Sequence, residues 1–453
     1  MANVTIRNTP LLLNAIPRRF ASAATASQAK ENKHSLPKEP IRVTKLENGV
    51  VVASLENHSP VSRIAAVVNT GSRDETQEQL GASHALRIFS NLATRNFSNF
   101  GVSRNLDQIG AELSVTSSRE STTYLLESIR NNAARGVDIL SEIVSRPELR
   151  FWEIDDARPR LEFDLDSYDQ QNELRIVDLI HRAAFKNALS NPLYAPRYNL
   201  GNLSSELLED FRRTNFTANR LTLVGLGINH DDLIRYADQF RLPTGQSASR
   251  QQAKYYGSEL RDENLNDLVH VALAAEGVSQ SSKDALASSL ASHAFGSVFN
   301  RVKYSNGATR LSKTILPLSN EPAAVTSFNA NYTETGLFGF HLVGNKKEIG
   351  KLAQGLTKEI AQVAKNGFTN EEITRAKNSL KLSLADSLET SRGFINALAR
   401  GPNHTDVNDL LKSVDAVEAN DVNAFVKRVA SSKYSLAATG NLTELPRLEE
   451  LRA

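Results

Sequence analysis

The sequence predicts an α+β protein of two tandem homologous domains, each a mixed β-sheet packed against helices. Three observations carry the prediction. At 453 residues the chain exceeds one typical domain and asks for two or three. β-rich runs and amphipathic runs fill each half in the same order. Short stretches then recur: "SVTS" from Ser114 returns as "AVTS" from Ala324, and "WEIDDARPRLEFDL" from Trp152 parallels "EEITRAKNSLKLSL" from Glu371. The second pair aligns Glu153, Ile154, Ala157, Leu161 and Leu165 with Glu372, Ile373, Ala376, Leu380 and Leu384.

The N-terminal segment stands apart from this pattern. Residues 1–20 carry Arg7, Arg18 and Arg19, no acid precedes Glu31, and Ser, Thr and Ala dominate after Phe20, which reads as a mitochondrial transit peptide. An unstructured tail is the alternative. Residues 21–40, ending in "KENKHSLPKEP", read as a flexible N-terminal extension.

The first domain is predicted over residues 41–242. It opens on a hairpin at Asn48-Gly49, where a type I′ turn would take positive φ at both central residues. A strand over Arg63 to Asn69 follows, then a helix from Ala82 to Arg95. "LDQIGAELSVTSSRESTTYLLES" reads as a helix end and two strands. "GVDILSEIVSRP" and the long run from Trp152 to Phe185 read as helical, with Pro159 marking a kink or a helix start. "NRLTLVGLG" closes the half as a strand. Residues 243–254 lack periodicity and form the predicted linker. The second domain, 255–453, repeats the order: a strand at "DLVHVALAAEG", a helix at "SKDALASSLASHAF", paired strands through "AAVTSFNANYTETGLFGFHLV", two long helices, and a closing strand at "YSLAATGN".

Composition removes several classes of function. The chain has no cysteine, so disulfides, thiolate catalysis, iron–sulfur ligation and thioether haem attachment are closed to it. A net charge of +2 gives no electrostatic case for nucleic acid or a polybasic membrane contact. No run approaches the ~18–20 unbroken apolar residues of a membrane span, so membrane association is expected to be peripheral. No phosphate-cradling glycine loop opens a helix and no Gly-x-Ser-x-Gly elbow occurs.

One stretch starts as a metal site and does not finish as one. "GASHALRIFSNL", Gly81 to Leu92, holds His84 after a glycine, at the place where His-x-x-Glu-His would put two imidazoles and a water-activating glutamate on one helix face. Here the other two positions are Arg87 and Ile88. A permanently protonated guanidinium cannot act as a general base, and an aliphatic side chain has no lone pair. Unit charges ~4 Å apart interact by about 4 kcal/mol at an effective dielectric near 20, and a dication would feel roughly twice that from an inward Arg87. His34, His58, His181, His230, His270, His293, His341 and His404 are scattered, with no local ligand pair. No catalytic, cofactor or metal residue is therefore assigned, and the carboxylates of "EFDLDSYD" read as a solvated helix face.

The repeat and the altered motif helix together resemble the pitrilysin family of zinc peptidases, specifically its mitochondrial branch. That branch holds the processing peptidase subunits and the core proteins of ubiquinol–cytochrome c reductase, respiratory complex III. The resemblance runs from about Ile41 to the C-terminus, through "LENGVVVAS", "NTGSRDE", "LGASHALRIFSNL" and "HRAAFKNALSNPLYAPRYNLGNLSSELLEDFRRTNFTANRLTLVGLG". "SLENHSPVSRI", "RVKYSNGAT" and "NANYTETGLFG" are similar to the core proteins. Active members add a metal-binding glutamate in the region matched by "RLEFDLD", where Asp164 is nearest. They also place an arginine and a tyrosine where this chain has Leu316 and Ala323. The glycine-dense loop of the non-catalytic processing subunit corresponds to Phe295–Gly307, which has only Gly296 and Gly307. The resemblance implies a non-catalytic scaffold without a cofactor, on the matrix side of the mitochondrial inner membrane. Its implied partners are core protein 1, cytochrome b and cytochrome c1 in a dimeric complex. A processing peptidase subunit that binds or cleaves presequences is the alternative.

Overall fold

The computed structural model describes residues 40–245, 249–297, 300–301, 309–401 and 406–452. The predicted transit peptide, all but Pro40 of the predicted extension, His34, His404 and most of the Val298–Gly307 stretch lie outside the described residues.

In the first half the elements run β1 (Arg42–Lys45), β2 (Val51–Leu55), β3 (Val61–Val68), α1 (Ala82–Ile88), α2 (Asn99–Ile109), β4 (Glu112–Ser117), β5 (Thr122–Ile129), α3 (Ala133–Ser145), α4 (Phe151–Asp169), α5 (Asn172–Ala184), α6 (Ser205–Asn215), β6 (Leu221–Leu226) and α7 (His230–Ala237). The second half has β7 (Glu259–Glu263), β8 (Leu268–Glu276), α8 (Ala285–Phe295), β9 (Asn300–Arg301), α9 (Arg310–Ile315), β10 (Ala324–Asn331) and β11 (Gly336–Asn345). It continues with α10 (Ile349–Asn366), α11 (Asn370–Glu389), α12 (Ser391–Arg400), α13 (Val407–Ala416), α14 (Ala419–Ser431) and β12 (Tyr434–Gly440).

The repeat seen in the letters is a repeat in topology. Among the described residues, one sheet orders β1-β2-β6-β3-β5-β4 and the other β7-β12-β8-β11-β10-β9. Each has a single parallel pair, β2 with β6 and β7 with β12, and antiparallel neighbours elsewhere. The aligned helix positions point inward in both copies: Ile154, Ala157, Leu161 and Leu165 are buried on α4, as are Ile373, Ala376 and Leu380 on α11. Helix α11 starts on a capping box, with the Glu372 N–H donating to Thr369 Oγ1 and the Thr369 N–H to Glu372 Oε2.

Each sheet buries one face under its own helices and the other under a helix from the opposite half. Val52, Ile64, Ala66, Leu126 and Leu223 join the first helical core, whereas Ala65, Val67, Leu125 and Val224 on the reverse face meet Ile395 and Leu398 of α12. Reciprocally, Ala272, Ala274, Leu337 and Ala437 of the second sheet meet Ile176, Ile180 and Ala183 of α5. Helices α5 and α12 each follow the long aligned helix of their own half, so the exchange is itself part of the repeat.

Three details differ from the sequence reading, and the predicted linker adds a fourth observation. The hairpin at Asn48-Gly49 forms, but only Gly49 has positive φ (+93°); the Gly49 N–H donates to Leu46 O and the Leu46 N–H to Val50 O, giving a three-residue loop. The helix predicted to Arg95 ends at Ile88 and a short 3₁₀ turn, because residues 93–95 pair with 146–148 instead of with themselves. Pro159 lies inside α4 and does not start it. The described part of the 243–254 stretch is fastened: Arg250 Nε donates to Asp74 Oδ1 at 3.1 Å, and Asn187 Nδ2 to Gln252 O at 2.9 Å.

Candidate functional site: the altered motif helix

Helix α1 begins at a tight contact. Gly81 has φ +94°, and a Cβ there would run into Ala195. The buried Glu75 carboxyl group accepts the Gly81 and Ser83 N–H groups at 2.8 and 2.7 Å, holding the first turn; burial pushes its pKa up to about 8. His84 is thereby fixed at 1% exposure.

The Ala195 N–H donates to His84 Nδ1 at 3.1 Å, so that nitrogen is unprotonated and Nε2 carries the hydrogen. Nε2 donates to Asp164 Oδ2 at 2.8 Å. Burial lowers the His84 pKa and keeps the ring neutral, while the His84 hydrogen bond holds Asp164 below its ordinary value despite partial burial. Arg87 Nη2 donates to the same Asp164 Oδ2 at 2.6 Å, with its guanidinium 5.6 Å from the centre of the Tyr194 ring. Tyr194 meets the His84 ring edge-on and stacks on Tyr168 at 4.2 Å.

The donor set does not fit a zinc ion. Both His84 nitrogens are engaged, and Asp164 already carries the imidazole hydrogen and a guanidinium. Ile88 packs against the core with no electron pair to offer. Among the described residues, no three His, Asp or Glu side chains converge as a metal would need. Leu316 and Ala323 precede β10 and are likewise aliphatic.

Sequence reasoning named His84, Arg87, Ile88 and Asp164, and the structure gathers all but Ile88 into one hydrogen-bonded cluster. Reading Asp164 as part of a solvated face is corrected, since its carboxylate is bound by two side chains. Tyr168, Tyr194 and Glu75 were missed; Tyr168 stands four residues after Asp164, one helical turn along. His270 and His341, read as scattered, face each other at 3.2 Å because β8 and β11 are sheet neighbours.

A separate cavity of about 810 Å³ opens where the β4–β5 turn, the 243–254 stretch, the end of β10 and α12 meet. Its walls include Thr116, Arg119, Arg250, Asn331 and Arg400, and the His84 cluster is not among them.

A family model described as Insulinase (Peptidase family M16) matches residues 51–197, and one described as Peptidase M16 inactive domain matches 202–380. The chain belongs to peptidase family M16, which the motif helix and the internal repeat anticipated. Its relatives include the mouse cytochrome b-c1 complex subunit 2, mitochondrial, 36% identical over 96% of this chain and 98% of that protein. The human protein of the same name is 34% identical over the same shares. A probable mitochondrial-processing peptidase subunit alpha-1 from Arabidopsis thaliana is 26% identical over 98% of this chain and 92% of its own length.

Proposed function

We propose that this chain is a non-catalytic core subunit of mitochondrial ubiquinol–cytochrome c reductase. It serves assembly and stability of the complex that passes electrons from ubiquinol to cytochrome c. The observation that carries the reading is Arg87 on Asp164, a fixed cation beside a histidine with no free lone pair. The near full-length similarity to cytochrome b-c1 complex subunit 2 supplies the assembly. The chain takes no cofactor and bears no redox centre. It sits peripherally on the matrix side of the inner membrane, paired with core protein 1 and docked on the cytochrome b and c1 subunits of a dimeric complex. No helix among the described residues is long and apolar enough to cross a membrane, in keeping with peripheral attachment.

The test is to solubilise mitochondria gently and resolve native assemblies. The chain should migrate with b- and c-type haem, and the purified chain should neither hold stoichiometric zinc nor cleave presequence peptides. Zinc bound through His84 with presequence cleavage, alone or with a homologous subunit, would replace this reading with the processing peptidase one.

A further inference from the structure

We propose that the outward face of α4 is a docking surface for a helix of another protein, one that is apolar along its contact face and rimmed by lysine or arginine. The proposal rests on reading the chain as a subunit of a larger assembly. Helix α4 buries Ile154, Ala157, Leu161 and Leu165, so positions 152, 156, 159 and 163 point directly away from the core. They are Trp152, Asp156, Pro159 and Phe163. Trp152 is 50% exposed and Phe163 74%, and Phe151, edge-on against Trp152, widens the stripe at its start. The eleven helical rises from Trp152 to Phe163 make the stripe about 16 Å long, three turns, a length suited to one crossing helix.

The fold does not require these aromatics. Helix α11 is the same element in the second repeat, and its matching outward positions are Glu371, Arg375, Asn378 and Leu382. One copy is mostly polar where the other shows Trp, Pro and Phe, and aromatic residues are what protein interfaces concentrate.

Charge selects the occupant. Helix α4 carries seven carboxylates against two arginines, an excess of five. Most are used locally: Asp155 holds Arg158, Asp166 and Asp169 share Arg197, and Asp164 binds His84 and Arg87. Asp156, within the stripe, and Glu162, beside it, have no hydrogen bond or ion pair among the described residues. An aromatic ridge with one free carboxylate within it and another at its edge is repelled by an anionic lipid surface and complements a basic protein segment.

The absence of cysteine makes the test clean. Phe163→Cys and Leu382→Cys each give a chain with one thiol at matching places in the two repeats, both on exposed side chains. In the purified chain both should react with maleimide at similar rates. In the native assembly Phe163→Cys should slow by about tenfold or more while Leu382→Cys changes by less than about twofold. A photo-crosslinking analogue in place of Phe163 should capture a segment with Lys or Arg flanking apolar residues, and Asp156→Lys with Glu162→Lys should weaken that capture. Equal labelling of both thiols in the assembly, or crosslinks to lipid alone, would overturn the proposal. The two readings fail separately. Protection in an assembly without haem sinks the proposed function and leaves the docking face, and equal labelling in a haem-bearing assembly does the reverse.

Discussion

If Arg87 bars the metal, then Arg87→Glu with Ile88→His should create a zinc site in a chain whose described residues gather none. A cation held by His84 Nε2 and Asp164 Oδ2 would lie close to the guanidinium, whose Nη2 is 2.6 Å from that same oxygen. Taking about 5 Å and an effective dielectric near 20, a dication and the guanidinium repel by about 7 kcal/mol. Arg87 is 22% exposed, and solvent screening cuts this to about 3 kcal/mol, a little over two decades in binding constant. The double substitution removes that repulsion, adds a carboxylate for attraction and supplies a second imidazole. Zinc titration by calorimetry on the folded chain measures the outcome, with His84→Ala in the double-substituted background as control. The unaltered chain should give no saturable heat, and the altered one a stoichiometric site lost with His84. Zinc bound by the unaltered chain through His84, no weaker than by the variant, would refute the electrostatic argument.

Three further outcomes are expected. Arg119, in the β4–β5 turn, donates to Asp178 of α5 at 2.5 Å with both side chains buried. Arg119→Leu should cost about 3–5 kcal/mol in urea unfolding and Arg119→Leu with Asp178→Leu far less, because the single change strands a buried charge. Burial holds His181, His270 and His341 below the usual histidine pKa, His341 at about 3. The unfolded chain therefore binds protons that these rings refuse, so their contribution is intact above about pH 6.5 and falls with acidification by up to ~1.4 kcal/mol per unit per histidine, opposed by the Glu75 carboxyl, whose raised pKa costs stability as pH rises from 4.5 toward about 8. Urea midpoints should show this slope and His341→Leu should reduce it; a flat profile would be inconsistent with neutral buried rings. Gly81→Ala combines φ +94° with a collision at Ala195 and should cost about 1–3 kcal/mol in thermal unfolding, against less for Gly110→Ala, where φ is +62° but the space is open.

Helical spacing made the α4 and α11 stripes readable, because burial repeats every three to four residues whatever lies opposite. The same periodicity could not say which sheet a helix would cover. Helix α5 falls within residues 41–242 by sequence, yet Ile176 and Ile180 pack on the second sheet, and α12 returns the favour on the first. At the site, letter order exposed the loss of ligands at Arg87 and Ile88. It did not show that Ala195 would occupy His84 Nδ1, since that contact spans 111 positions and depends on the close approach at Gly81. The His270–His341 pair was hidden for a related reason: strand register, set by the whole sheet, brings together residues 71 positions apart.

Losing a dication from such a place should leave a carboxylate without its counter-charge and an imidazole nitrogen without its partner, and Arg87 resolves the difficulty that its own arrival would create. Its guanidinium supplies the positive charge Asp164 needs, while His84 stays neutral and gives the same carboxylate a hydrogen. On this reading the guanidinium would stabilise the metal-free fold as well as oppose a metal, and the two roles can be separated. Arg87→Met should destabilise the chain by about 1–2 kcal/mol, the range for a charge-assisted hydrogen bond discounted for partial exposure. In an Asp164→Asn background, which keeps an acceptor for His84 but removes the charge, the same substitution should cost markedly less. A urea double-mutant cycle reads the difference directly, and a coupling under about 0.3 kcal/mol would mean that Arg87 fills space beside Tyr194 without neutralising anything.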